Sequence, residues 1–436
     1  MRFGLMYPIQ HPHPTEGSEA TTIKNCVEQV RLADSLGYDA VWATEHHFLD
    51  EYSLCSTPEI FLTACATQTR NIKIGHGIVA IPPAYNHPFR VAERIGMLDI
   101  ISDGRVQFGF GETTSDLELK GFGVDRASKR EIAETTLPVI LQMMTQTPFA
   151  GAKTPYLELP QRNVTPKPVQ RPHPPLWQAC VNRDTIRRAA RKGAGALLNA
   201  FVDAAEARYW VDEYYRVFEQ ECVPVGLAAN PAINAVTGFM CCRTEQEAFS
   251  TGLDGTYFFL YSNIYHYALG GHQPGVTSVW DRFQTDRVGM GMSSLNGDAN
   301  GDGSGADVPT SEALAEAERA AERASGLDEG QLEALRCGVG TPDQLRERFR
   351  RFEDVGIDSM MFVAQGGETR HEDICASLEL FAKEVMPEFL ERDEKFRADK
   401  AQRLAPVIEE VMARREPWPE PDPGFRIQLE GVQYSK

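Results

Sequence analysis

Short apolar runs alternate with longer segments of helical period along most of this 436-residue chain, and that alternation restricts the fold more than any other feature. Residues 2–7, 40–43, 72–81, 106–111, 176–179, 195–200, 232–241 and 358–364 read as strands. Between and after them, residues 18–36, 58–68, 88–101, 126–144, 183–192, 203–222, a stretch starting near Thr244, and residues 372–385 space their apolar side chains near 3.6 and read as helices. Gly37 and Gly193 stop two of these helices, and Pro58 and Thr341-Pro342 start others. Successive strands joined by helices must lie parallel, because a parallel connection needs a crossover of a dozen residues or more. Eight such units predict a (β/α)₈ barrel, with a doubly wound open sheet as the competitor. The barrel is preferred because polar candidates follow several different strands, as barrel loops would place them.

Three segments depart from the alternation. Residues 149–175 are rich in proline and turn formers and read as an extended excursion. Residues 253–329 begin aromatic, become glycine-rich and polar, then charged and alanine-rich, and are expected to form a lid or loop inserted before the last strand. Within them Asp298-x-Asn300-x-Asp302-Gly303 copies half of a calcium loop, but Pro309 stands where the closing glutamate belongs, so no metal site is expected. The barrel is assigned to residues 1–390, and the charged, then proline-rich residues 391–436 to an extension on its surface.

The formal net charge of −18 disfavours nucleic acid and anionic membranes as partners. Nine cysteines without a CxxC pair read as free thiols of a reducing cytoplasm. Pro8 interrupts the first apolar run too early for a signal peptide, and no run approaches the ~20 residues of a membrane helix.

The chemistry-bearing residues sit after strands. Glu45, His46 and His47 follow the second, where side chains face the ligand crevice of an α/β protein. Gly109-x-Gly111 ends the fourth; a dinucleotide fingerprint would need a third glycine where Ser115 or Asp116 falls, so small residues that clear room for a flat ligand are the better reading. Asn182, Arg183 and Thr185 open the helix after the fifth strand, where they either cap it or hold a phosphate. Arg130 is open in the same way, between a solvated cation and a ligand contact. His11 and His13 line either the pocket or a surface loop, and Tyr261 and Tyr265 belong either to a lid over the pocket or to a helix core.

In combination and in order, several segments resemble the bacterial-luciferase-like flavin monooxygenases: Trp42 to Phe48, Ile81-Pro82 with His87 to Arg90, Leu98-Asp99 with Ser102 to Arg105 and Phe108-Gly109, Pro166 to Gln170 with Trp177, Gly338 to Pro342, and His371 to Asp373 with Val385 to Pro387. The resemblance implies a (β/α)₈ barrel that takes reduced FMN from a separate flavin reductase, uses O₂, and inserts one oxygen atom into a small apolar organic substrate by hydroxylation, epoxidation or Baeyer–Villiger chemistry. It places His46 as the general acid/base, oriented by Glu45 or His47. It puts Gly77-Ile78 at a non-prolyl cis peptide beneath the flavin, Gly111 beside the ring, and Arg130, Asn182, Arg183 and Thr185 at the phosphate. His11, Tyr261 and Tyr265 are expected at the substrate, and a homodimer is the expected assembly. Gly111-Glu112 depart from the cysteine and arginine of the luciferase subunit, which counts against light emission and an aldehyde substrate. A deazaflavin-dependent oxidoreductase and a non-catalytic flavin-binding subunit share the barrel and are the alternatives.

Overall fold

A computed structural model describes residues 1–199, 201–269, 271–287 and 337–428. The strands β1 (Arg2–Tyr7), β2 (Ala40–Ala43), β3 (Lys73–His76), β4 (Val79–Ala80), β5 (Val106–Gly111), β8 (Leu176–Cys180), β9 (Gly195–Leu198), β10 (Ile233–Gly238) and β13 (Ser359–Val363) form one all-parallel sheet. Its order is β3-β2-β1-β13-β10-β9-β8-β5, and β5 pairs again with β3, so the sheet closes into an eight-stranded barrel; β4 continues the β3 position along β5. The open-sheet alternative is thereby excluded.

The barrel interior is filled by side chains matched large against small. Trp42 and Trp177 meet edge to face at 5.4 Å between ring centroids. A Cβ on Gly75 would lie 2.4 Å from the Trp42 ring, and one on Gly195 would lie 2.5 Å from the Trp177 ring, so each indole occupies space that a neighbouring glycine leaves free.

The third expected strand is split at Gly77-Ile78, and the seventh at Phe239, after which β11 (Met240–Cys241) pairs with β12 (Val339–Gly340) in a ladder of its own. The 149–175 excursion carries a small antiparallel ladder of β6 (Ala152–Lys153) and β7 (Glu158–Leu159). The Gly77–Ile78 peptide is trans: the cis bonds among the described residues all precede proline, and Gly77 stays in the ladder by donating its N–H to the Ala43 carbonyl at 2.7 Å.

Residues expected to begin the insertion belong instead to the helix after β10. It spans Glu245–Ile264, capped by the Thr244 hydroxyl on the Glu247 N–H, and buries Tyr257, Phe258, Phe259 and Tyr261. Those aromatics are core, which is why the segment starts apolar. The helix passes into a π-helical turn at Tyr265–Leu269, and a further helix, Val279–Asp286, lays Trp280 and Phe283 against Phe258. The half calcium loop at 298–303 and the alanine-rich stretch lie outside the described residues.

The division expected at residue 390 falls inside one helix, Met386–Ala413. It closes the amino-terminal end of the barrel through ions: Lys400 reaches Asp358 at 2.5 Å, and Asp393 lies 3.4 Å from the Met1 ammonium, which Glu353 of the earlier helix Pro342–Val355 also approaches at 3.0 Å. The proline-rich end that follows lies on the barrel surface, where Gln146 donates to the Pro419 carbonyl and Gln161 exchanges two hydrogen bonds with the Asp422 backbone.

Candidate active site

A cavity of about 390 Å³ opens at the carboxyl ends of the barrel strands. Its floor is the break between β3 and β4 together with the end of β5: Gly77, Ile78, Phe110 and Gly111. A Cβ on Gly111 would come within 2.8 Å of the Ile78 side chain, so glycine keeps this floor flat. Two helices form the wall. Arg130, Ala133, Glu134 and Leu137 project from the helix Lys129–Thr145 at helical spacing, and Thr185, Arg188 and Lys192 from the start of Arg183–Arg191 to just past its end. Asn263 and Tyr267 come from the helix after β10 and its π-helical turn.

His46 lines the same cavity at its rim. Its Nδ1 faces Glu118 Oε1 at 3.3 Å. Glu118 lies on a six-residue helix, Asp116–Gly121, and is 1% exposed. The same carboxylate accepts from the Thr113 hydroxyl at 2.6 Å and the His47 N–H at 2.9 Å. Burial alone would raise the Glu118 pKa, but the His46, Thr113 and His47 donors outweigh it and hold the carboxyl below its ordinary range. A carboxylate only accepts, so Nδ1 carries the proton and Nε2 is left for the cavity. Tyr52 and Tyr267 bracket the imidazole, with ring centroids 5.2 and 6.4 Å away. Asn263 donates to the Tyr52 hydroxyl at 3.1 Å.

Of the residues expected at the site, Glu45, His46, Gly77, Ile78, Gly111, Arg130 and Thr185 line this cavity. The orienting contact on His46 comes from Glu118 rather than from Glu45 or His47. Glu45 is taken up as a clamp, accepting from the Ala80 N–H at 2.8 Å and Asn86 Nδ2 at 2.7 Å, with His47 Nε2 at 3.2 Å. Asn182 and Arg183 stay outside the lining: Asn182 caps its helix through the Thr185 N–H, and Arg183 pairs with Glu206 above the Tyr209 ring. Thr185 completes that capping box, and its hydroxyl also receives the Val181 and Asn182 N–H groups. His11 is held by Ser18 and Thr22 in a separate polar pocket with Gln29 and His371. Tyr261 donates to Asp286 and Tyr265 to the Gly271 carbonyl, and neither reaches the cavity. They occupy one face of the helix, while Asn263 and Tyr267 occupy the face turned to the site.

The arrangement suits a flat heterocycle with an anionic tail. The glycine-lined floor takes a planar ring, and three cations stand on the helical wall. Among the described residues no cluster of His, Cys, Asp or Glu is placed to hold a metal, no two cysteines are joined in a disulfide, and no helix is long and apolar enough to cross a membrane.

Comparison with known proteins gives the family and the fold. The luciferase-like monooxygenase family matches residues 1–359. The alkanal monooxygenase alpha chain of Photorhabdus luminescens is 26% identical over 207 residues, 48% of this chain and 56% of that protein. The chain spans between 53% and 69% of the length of the first curated relatives it matches. Among solved structures, the oxygenating constituent of 3,6-diketocamphane monooxygenase from Pseudomonas putida, in complex with FMN, is similar at a TM-score of 0.61 and 19% identity, covering 89% of this chain and 98% of that one. The coenzyme F420-dependent tetrahydromethanopterin reductase of Methanopyrus kandleri is similar at 0.58 and 19%, covering 89% and 99%. At such identities the structural likeness speaks to the fold, while the family match covers most of the sequence: the chain belongs to the luciferase-like monooxygenases.

Proposed function

We propose that this protein is a flavin-dependent monooxygenase that uses reduced FMN and O₂ to insert one oxygen atom into a small apolar organic substrate. The observation that carries the reading is an imidazole fixed by a buried carboxylate at the rim of a flat-floored cavity whose wall carries Arg130, Arg188 and Lys192. Reduced FMN, when bound, supplies the electron pair that activates O₂. Gly77, Ile78, Phe110 and Gly111 would support the ring, and Arg130, Arg188 and Lys192 would hold the phosphate. Glu118 keeps the Nδ1 proton of His46 in place, so Nε2 gives or takes the proton that oxygen transfer requires. Met6, Ile81, Leu137 and Leu197 exclude water and favour an apolar substrate, and Asn263 and Tyr267 close the cavity beside His46. Burial keeps the Tyr267 phenol protonated.

We place the enzyme in the cytoplasm as a homodimer that receives its flavin from a separate reductase. The test is product yield per reduced FMN, measured with peroxide release, in the wild type and His46→Ala. Loss of product with a matching rise in peroxide supports the assignment, and an unchanged yield removes His46 from the mechanism. The likeness to a deazaflavin enzyme supports a second reading, a deazaflavin-dependent oxidoreductase on the same barrel. Anaerobic turnover with reduced deazaflavin, and none with FMN, would select it.

A further inference from the structure

Every cation on the cavity wall is already matched by a carboxylate. Arg188 Nη2 lies 3.0 Å from Glu112 Oε1, its Nη1 lies 3.9 Å from Glu134, and its Nε lies 3.5 Å from Asp184. Lys192 Nζ is 3.6 Å from Glu134, and Arg130 is 3.8 Å from Asp184. Glu112 stands apart from the other two acids. Its side chain is 19% exposed, against 44% for Glu134 and 56% for Asp184, and it follows Gly111 directly at the end of β5. Its Oε1 engages the guanidinium, while its Oε2 is buried with no hydrogen-bond partner.

We propose that Glu112 sets the affinity of the flavin site: its carboxylate occupies Arg188 in the manner of a ligand phosphate, so the flavin is held loosely and exchanges. The inference rests on the flavin reading above and deepens it. A phosphate dianion and the Glu112 carboxylate compete for one guanidinium, and they repel each other beside Arg188, whose side chain is only 13% exposed. The lost affinity is specific to the phosphate, because the flat floor grips the ring without charge. Loose binding suits a flavin that arrives reduced and leaves oxidised, which requires a reaction elsewhere that regenerates reduced flavin.

The test is fluorescence titration of the full chain with oxidised FMN and with riboflavin, which lacks the phosphate. Glu112→Gln keeps the side-chain size and removes the charge. It should tighten FMN binding by about tenfold and leave riboflavin unchanged. Glu112→Asp should stay near the wild type, because it restores the carboxylate, and Glu112→Ala should follow Glu112→Gln if that variant folds poorly. Added salt should narrow the gap between wild type and Glu112→Gln for FMN alone. Equal or weaker FMN binding in Glu112→Gln, with riboflavin bound by both proteins, overturns the role of Glu112. Failure of every variant to bind either flavin overturns the flavin reading itself.

Discussion

Replacing Glu118 by glutamine tests the core of the site. The carboxylate collects three donors, from Thr113, His47 and His46, at 2.6, 2.9 and 3.3 Å. Hydrogen bonds to a charged group contribute about 1.5–3 kcal/mol each. If only the bond to His46 Nδ1 matters to the proton-transfer step, its loss lowers the rate by roughly ten- to a hundredfold. Complete loss of an acid/base group is worth ~10²–10⁴, which sets the ceiling. Glutamine preserves the volume, so the FMN affinity of the cavity should hold. The assay is single-turnover product formation from bound reduced FMN, with peroxide release followed in parallel. Stability carries a second signature. The folded-state pKa of Glu118 lies below its ordinary 4.5, so its charge stabilises the fold above that pH and the contribution fades as pH falls through the folded value. The stability gap between wild type and Glu118→Gln should therefore be full at neutral pH and shrink below about pH 4.5. Turnover within twofold of wild type, with product and peroxide unchanged, would refute the orienting role.

Three further outcomes follow from the geometry. Gly111→Ala places a methyl 2.8 Å from Ile78 and pushes that side chain into the cavity, so FMN binding in a fluorescence titration should weaken by about tenfold while the melting temperature changes little. Lys400→Ala leaves the 5%-exposed Asp358 side chain without its cation, although the Ile233 N–H still donates to it, and urea denaturation should register a loss of about 3 kcal/mol. Tyr267→Ala opens the wall beside His46 and should raise peroxide release relative to product, measured as the coupling ratio, with FMN affinity retained.

The barrel was legible because each strand is a short apolar run bounded by a glycine or proline signal, and closure needs only eight such units in sequence order. The breaks at Gly77-Ile78 and Phe239 were not, because an apolar run reads the same whether or not the ladder continues through it. His46 was legible as a polar residue at a strand end. Glu118 was not: it sits on a six-residue helix too short to display a period, and only the folded chain brings it across 72 positions to His46. Tyr261 and Tyr265 were expected at the substrate with a helix core as the other reading, and the helix turns Asn263 and Tyr267 to the cavity and those two toward Asp286 and Gly271. The cations of Arg183–Arg191 and Lys192 look in sequence like a solvated face, yet Thr185, Arg188 and Lys192 fall at i, i+3 and i+7 and form one stripe into the site. That spacing was the available signal for Arg188 and Lys192.

The most direct measurement loads the protein anaerobically with reduced FMN, adds ¹⁸O₂ in the presence of a panel of small apolar ketones, alkenes and arenes, and weighs the products. The account predicts a product from the panel that carries one ¹⁸O atom, formed with oxidation of the flavin and suppressed in His46→Ala. Stoichiometric peroxide with no labelled product across the panel, or turnover confined to reduced deazaflavin without oxygen, would contradict it.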